Sequence, residues 1–254
     1  MILLYETADA QRNRAFILEL QKFGDVELVG WDDWHEEGIE RLAERLRGQT
    51  VLFRCRRPQA ARFLEDQGIR LVNRVEVNRI ANDKWLSYQL FVMLGVPTIP
   101  THREPPQFPC VAKSVDGHGG TQVEILASAD SVPSFGSETI YQPVVPHIAD
   151  VRAYVIGDEV VGAVKRSSES SFRKNFSLGA EIERYYLDSI QEMEVLKIAR
   201  ASKADYIGVD FLLLEDGRHL FNEIEDPVGA RSFYQTHDEN IAELLVRHIE
   251  KKFG

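Results

Sequence analysis

The sequence predicts an α/β fold with a small parallel sheet up to about residue 80, followed by an α+β region built from hairpins. Three observations predict it. Strand-like and helix-like apolar periods alternate through the first eighty residues, as they do where helices cover a parallel sheet. Beyond them, strands meet at short turns, Gly157-Asp158 and Asp216-Gly217, in place of helical crossovers. The chain has 254 residues, 44% hydrophobic and 28% charged, enough to bury one large core or two smaller ones.

Taken in order, residues 2–5 are the first strand and 11–23 have helical spacing. Residues 26–29 form a second strand, 37–46 a helix and 50–53 a third strand. Pro58 opens the next helix, since a first turn leaves that N–H unpaired in any case. Residues 69–72 complete the sheet. The stretch NDKWLSYQLFVMLGVP is a helix capped by Asn82 or Asp83 and stopped by Gly95. Four prolines between 100 and 109 then mark a loop. FPCVAKSVDGHGGTQVEIL reads as two strands around a glycine-rich turn, and YQPVV as a third. A polar segment, 167–179, separates the two later hairpins. It is followed by a helix behind the capping box Ser189-Ile190-Gln191-Glu192. The last helix carries Ile241, Leu244, Leu245, His248 and Ile249 on one face, behind Thr236-His237-Asp238-Glu239.

Composition narrows the function. A formal charge of −10, from 40 acidic and 30 basic residues, disfavours broad nucleic-acid binding, which needs a basic face. Two cysteines, Cys55 and Cys110, make neither a disulfide framework nor a metal-ligand spacing and read as buried thiols. No apolar run approaches the roughly 20 residues of a membrane span. The first apolar run is also too short for a signal peptide, so no membrane partner and a cytoplasmic location are expected.

Three groups of residues carry chemistry. With a two-residue turn at Asp216-Gly217, Asp210 faces Glu223, Glu225 lies diagonal on the same face, and Leu213 faces Leu220. Three neighbouring carboxylates repel unless a cation sits among them, and an all-oxygen set suits Mg²⁺ or Mn²⁺. Lys84, in a first helical turn, and Lys113, at the end of an apolar strand, can together neutralise a polyphosphate under the Gly117–Gly120 loop. With a two-residue turn at Gly157-Asp158, Asp150, Arg152 and Lys165 share a face, with Arg166 at the strand end. Arg173 and Asn175 follow. Cations of this kind stabilise developing phosphoryl charge.

The order of these pieces is the telling feature. NDK, FPCVAK, the glycine-rich loop, YQPVV, DVR, KR with FRKN, GVD, and EIE with a nearby proline and glycine resemble the ATP-grasp superfamily. RimK-like glutamate ligases and their glutathione-synthetase-type relatives are most similar. The resemblance spans about residues 73–249 and implies an ATP-grasp fold with an N-terminal Rossmann-like pre-ATP-grasp domain. The implied division is 1–80 for that α/β domain, 81–141 for a small subdomain with the glycine-rich loop, and 142–254 for a C-terminal subdomain with the metal site. By the same resemblance Lys84 and Lys113 contact the nucleotide phosphates, and Gly117, Gly119 and Gly120 close over them. Gln142, Pro143, Val144 and Val145 form the hinge that reads adenine, with Asp150 near the ribose. Arg152 and Arg166 hold the transferred phosphoryl group, Asn175 reaches the metal–phosphate cluster, and Asp210 and Glu223 are metal ligands. The family's usual Glu-x-Asn is here Glu223-Ile224-Glu225, which adds a negative charge to the metal site. The following Asp226-Pro227-Val228-Gly229 also departs from the family pattern.

The implied activity is that of an ATP-dependent carboxylate–amine ligase, of the ADP-forming acid–amino-acid type. It would join a small-molecule or peptide carboxylate to an amine through an acyl phosphate, with ATP and Mg²⁺ (Mn²⁺ as a substitute). The alternatives are an ATP-grasp phosphotransferase and a non-catalytic nucleotide sensor. Arg54 or Arg57, at the carboxyl end of a parallel strand where ligands sit, is expected to clamp a substrate carboxylate. His118 and Glu225 are the candidates for an amine-activating base. Relatives of this kind often form homo-oligomers, but no stripe of the sequence marks an interface.

Overall fold

The computed structural model describes residues 1–34, 38–118, 120, 122–167 and 181–254. Gly119, Arg173 and Asn175, and nearly all of the polar segment, lie outside the described residues.

Three sheets organise the chain. The first is parallel, in the order β2-β1-β3-β4, from β1 (Ile2–Tyr5), β2 (Glu27–Gly30), β3 (Thr50–Phe53) and β4 (Arg70–Val72). Helices α1 (Thr7–Arg12), α2 (Arg14–Phe23), α3 (Ile39–Leu46) and α4 (Pro58–Asp66) connect these strands. One expected helix is thus two: Asn13 donates its side-chain amide to the Asp9 carbonyl at 2.8 Å, and α1 ends there. Helices α5 (Val75–Ala81) and α6 (Lys84–Leu94) lead out of the sheet. Asp83 is the cap of α6, accepting from the Leu86 N–H at 3.0 Å.

A three-stranded antiparallel sheet follows, in the order β6-β5-β7, from β5 (Cys110–Ser114), β6 (Val123–Leu126) and β7 (Thr139–Pro143). The largest sheet is antiparallel, in the order β10-β9-β8-β11-β12. Its strands are β8 (Ala149–Ile156), β9 (Glu159–Ser167), β10 (Glu181–Tyr185), β11 (Tyr206–Leu213) and β12 (His219–Glu225). Helix α7 (Ser189–Ser202) joins β10 to β11, and α8 (Arg231–Thr236) and α9 (Ile241–Phe253) end the chain. Both capping boxes expected from the sequence shift. Asp188 with Gln191 caps α7, one residue earlier than expected. Asn240 caps α9, while Thr236 belongs to α8, its hydroxyl bonded to the Ser232 carbonyl at 2.9 Å.

Strand alternation distributes the core. On β1, Ile2 and Leu4 pack with α3 and α4. Leu3 and Tyr5 face the other way, toward α2, α9 and the even-numbered Tyr154, Ile156 and Tyr206 of the large sheet. The odd-numbered Val151, Ala153, Val209 and Phe211 face α6 and α7. The parallel sheet and the large sheet therefore share one core through α2 and α9, which fixes the first strands relative to the acidic hairpin. Helix α9 is also pinned by the buried Asp205, whose Oδ1 accepts from His248 Nε2 at 2.7 Å and Lys252 Nζ at 2.5 Å. No helix among the described residues is long and apolar enough to cross a membrane.

Candidate active site

A cavity of about 450 Å³ opens where the three sheets meet. Its acidic floor comes from the β11–β12 hairpin. Asp210 faces Glu223, and Glu225 follows two residues on, as the sequence predicts. The route to that register differs from expectation. The turn holds three residues, 215–217, with Gly217 at φ +83° and the Leu214 N–H bonded to the Arg218 carbonyl at 2.8 Å. Leu213 therefore faces His219, not Leu220. A bulge then adds Asn222 to β12, cancels the longer turn and restores the Asp210–Glu223 pair. Asn222 and Glu223 both line the cavity, although strict alternation would put them on opposite faces. Asn222 Oδ1 accepts from Lys113 Nζ at 2.9 Å, a contact invisible to period-two reasoning.

The cations come from β8, β9, β5 and α6. Arg152 faces Asp210 across β8–β11 and binds it through two bonds, Nε–Oδ1 2.7 Å and Nη2–Oδ2 2.6 Å. The same Nη2 reaches Glu225 Oε1 at 2.8 Å. Arg166 Nη2 lies 3.3 Å from Asp210 Oδ2. Lys84 Nζ lies 3.4 Å from Glu223 Oε2 and also donates to the Gly117 carbonyl, tying the glycine-rich loop to the acidic hairpin. A bulge at Val161 shifts the β8–β9 register by one. Asp150 consequently faces Arg166, while Lys165 turns to the opposite face and pairs with Glu183 at 2.9 Å. The expected Asp150–Arg152–Lys165 face is corrected to Asp150, Arg152 and Arg166.

Close approach at one glycine makes room for Arg152. A Cβ on Gly208 would sit 2.8 Å from Val228 Cγ2 and 3.3 Å from Arg152 Cδ. We expect Gly208→Ala to lower turnover about tenfold, because an ångström of misplacement at a reacting group is costly. Circular dichroism should stay native while steady-state ADP release falls, and unchanged ADP release would remove this role for Gly208.

Burial sharpens the electrostatics. Burial alone would raise the Asp210 carboxyl, but the guanidiniums of Arg152 and Arg166 more than offset it and hold Asp210 below its ordinary value. Burial raises Glu225, and Glu223 and Asp210 add to that rise against the opposing pull of Arg152. Burial likewise pushes the Lys113 ammonium below its ordinary value, with Glu223 opposing. A divalent cation suits this floor. One oxygen from each of Asp210, Glu223 and Glu225 lies within 4.8 Å of the others. Opposite oxygens around Mg²⁺ are about 4.2 Å apart at its usual bond length, so small side-chain rotations complete such a set. Nearby, Arg166 Nε and Asp150 Oδ2 are buried without a hydrogen-bond partner among the described residues, and both residues line the same cavity, as a site shaped for a further polar ligand would leave them.

The rest of the cavity is divided between an apolar slot and a charged rim. Ile99, Val111, Val123 and Leu212 line the slot beside the Gln142–Val145 backbone. Gln142 is itself buried and held by the Thr101 hydroxyl at 2.9 Å. Gly120 lines the cavity, whereas Gly117 and Lys84, bonded to each other, are not among the lining residues. At the rim Asp9, Arg12 and Arg56 were not expected from the sequence. Asp9 and Arg12 lie on α1, the helix that follows β1, and Arg56 lies three residues past the end of β3. Arg54 also reaches the cavity, but it is buried, donating to Tyr5 Oη at 2.7 Å and the Val228 carbonyl at 2.6 Å. Arg57 is not among the lining residues: its Nε pairs with Glu6 at 2.8 Å, with the guanidinium over Trp31. Of the two arginines expected to clamp substrate, Arg54 lines the cavity while held by Tyr5 and Val228, and Arg57 does not line it.

Comparisons with known proteins agree with this geometry. Residues 81–249 match the RimK-like ATP-grasp domain. An uncharacterized protein of Mycoplasma genitalium, MG011, is 30% identical over 96% of this chain and 90% of its own length. A probable alpha-L-glutamate ligase of Histophilus somni is 29% identical over 68% of this chain and 64% of its own. Among solved structures the ATP-grasp ligase PsnB, in complex with a minimal precursor, superposes with a TM-score of 0.72 at 18% identity. That superposition covers 98% of this chain and 99% of PsnB, and it establishes the fold. With the domain match covering well over half of its length, the chain belongs to the RimK-like ATP-grasp family.

Proposed function

We propose that the protein is an ATP-dependent carboxylate–amine ligase that makes an amide through an acyl phosphate, releasing ADP and phosphate. The supporting observation is that Asp210, Glu223 and Glu225 line one cavity together with Arg152, Arg166 and Lys113, while Lys84 Nζ lies 3.4 Å from Glu223 Oε2. In this reading residues 1–80 supply the substrate rim, 81–141 the phosphate lid, and 142–254 the hinge and metal floor. The three carboxylates would hold Mg²⁺, which supplies charge neutralisation at the phosphate oxygens. Lys113 and Lys84 would take the outer phosphate oxygens. Arg152 and Arg166, already side by side on Asp210, would stabilise the charge that develops as a substrate carboxylate attacks the γ-phosphate. The apolar slot would receive the adenine ring, with Gln142–Val145 as its backbone edge.

The experiment combines Mg-ATP, a panel of amino acids, short peptides and small carboxylates, and hydroxylamine as a trapping nucleophile. We expect hydroxamate and ADP to appear together with one class of carboxylate, and Asp210→Asn to lower both at least about 100-fold. ADP release without hydroxamate would identify a phosphotransferase. Tight nucleotide binding without ADP release would identify a sensor.

A further inference from the structure

Amide formation makes a demand that the groups above do not meet. An amine in neutral solution is an ammonium ion and must lose a proton before it attacks an acyl phosphate. Arginines donate but do not accept protons at this pH. Glu225 is engaged by Arg152, and Asp9 has both oxygens occupied, Oδ1 by Arg12 at 2.8 Å and Oδ2 by Arg56 at 3.0 Å. Two histidines line the cavity among the described residues. His147 is at the hinge end, its Nδ1 2.8 Å from the Val145 carbonyl. His118 is carried by the glycine-rich loop and lines the same cavity as Asp9, Arg12 and Arg56. Its neighbour in sequence, Gly117, is bonded to Lys84, so the loop that carries His118 is tied to the cation beside Glu223.

Building on the ligase reading above, we propose that His118 is the base that takes the proton from the amine nucleophile, with Asp9 positioning Arg12 and Arg56 beside it as a fixed positive rim. Partial burial, together with the charges of Arg56, Lys84 and Arg12 and against that of Asp9, holds the imidazole below its ordinary value, although much of the residue stays exposed. At neutral pH it is therefore unprotonated and able to accept. The first proton of the ammonium passes to the imidazole. The freed lone pair forms the C–N bond, the C–O bond to phosphate breaks, and the remaining extra N–H proton leaves with the phosphate. The same rim attracts an anionic group on the incoming amine. Because Gly117 is bonded to Lys84, the loop that brings the base is held to the lysine that meets Glu223.

The test is a competition between nucleophiles. Hydroxylamine is largely unprotonated at neutral pH and needs little help from a base, whereas ammonium, L-alanine and L-glutamate arrive protonated. With the carboxylate that supports hydroxamate formation, His118→Gln should lower the ratio of amide to hydroxamate about 100-fold, the usual worth of a general base. His118 is an exposed loop residue, so folding is not at stake. In the wild-type protein amide formation should fall on acidification as the imidazole gains a proton. That fall should move to higher pH in Arg56→Gln, which removes a positive neighbour, and to lower pH in Asp9→Asn, which removes the opposing negative one. An unaltered ratio in His118→Gln, or acid limbs that coincide in all three proteins, would overturn the assignment. A wild-type protein that makes hydroxamate but no amide from any of the three protonated amines would overturn it too. Absence of hydroxamate altogether would instead defeat the ligase reading.

Discussion

Replacing Arg152 with methionine is expected to lower turnover at least about 100-fold while strengthening Mg²⁺ binding. Both effects follow from one geometry. The Arg152 guanidinium spans Asp210 and Glu225 through three short bonds, so it occupies the space between two of the three carboxylates that suit a metal. Its own pKa is held well above the ordinary value: burial disfavours the charge, and Asp210 and Glu225 more than restore it. Methionine fills similar volume without charge. Three carboxylates then retain Arg166 and Lys84 as their close cations, and a divalent ion becomes the remaining way to relieve their repulsion. Truncating one partner of a buried ion pair costs about 3–5 kcal/mol, so without metal the variant should melt well below the wild-type protein. Saturating Mg²⁺ should recover much of that loss by mass action, and should raise Tm more in the variant than in the wild type. Thermal scans across a Mg²⁺ series, paired with ADP release, separate the two effects. An Mg²⁺ response smaller than that of the wild type would show that Arg152 helps to build the metal site and does not compete with it.

The same hairpin shows how far the sequence carries. Asp210 opposite Glu223 is legible because turn residues and alternation restrict the register to few choices. The prediction succeeds for a partly mistaken reason: an extra turn residue and an extra strand residue cancel between Arg218 and Glu223. Nothing in the local pattern announces the bulge, and with it Asn222 is drawn into the site as a partner for Lys113. The neighbouring hairpin has a bulge without a compensating turn, so the register moves and Lys165 leaves the face assigned to it. Bulges are set by packing across the sheet. Here Gly162, just after the extra residue, lies where a Cβ would meet the His237 ring at 2.5 Å, a contact 75 residues away in sequence.

The rim was legible only in part. The carboxyl end of β3 pointed to Arg54 and its neighbours, and that end does border the cavity. Which arginine faces inward depends on partners remote in the chain: Glu6 draws Arg57 away, and Asp9 draws Arg56 in. Arg54 is claimed by Tyr5, by the Val228 carbonyl and by the faces of Phe16 and Tyr206. A charged residue after an apolar strand signals a nearby site. Its role is decided by the tertiary contacts that satisfy it.

Asp226→Asn is expected to lower stability by about 2–4 kcal/mol, combining a donor mismatch with a lost charge near the buried Arg54. Asp226 directly follows the last metal-site carboxylate and is buried. Its Oδ1 accepts from Asn73 Nδ2 at 2.9 Å and its Oδ2 from Asn78 Nδ2 at 3.1 Å. Asn73 cannot turn over, because its Oδ1 already accepts from the Asp205 and Tyr206 N–H groups at 2.7 and 2.9 Å. Turning Asn78 would set its oxygen against the Cys55 carbonyl, to which its Nδ2 now donates at 2.9 Å. An asparagine at 226 therefore places its own amide donor against a donor, or forces two acceptors together. It also removes the negative charge that, with Tyr5 and Tyr206, keeps the buried Arg54 pKa above its ordinary value against the cost of burial. In a chain of this size each kcal/mol is worth about 2–4 °C, so Tm should fall by roughly 5–15 °C, and urea midpoints should fall with it. Because Asn73, Asn78 and Cys55 belong to the end of the parallel sheet and the segment after it, this carboxylate couples that sheet to the acidic hairpin. A Tm loss under about 2 °C, less than 1 kcal/mol on the same scale, would show that the coupling rests on the shared apolar core instead.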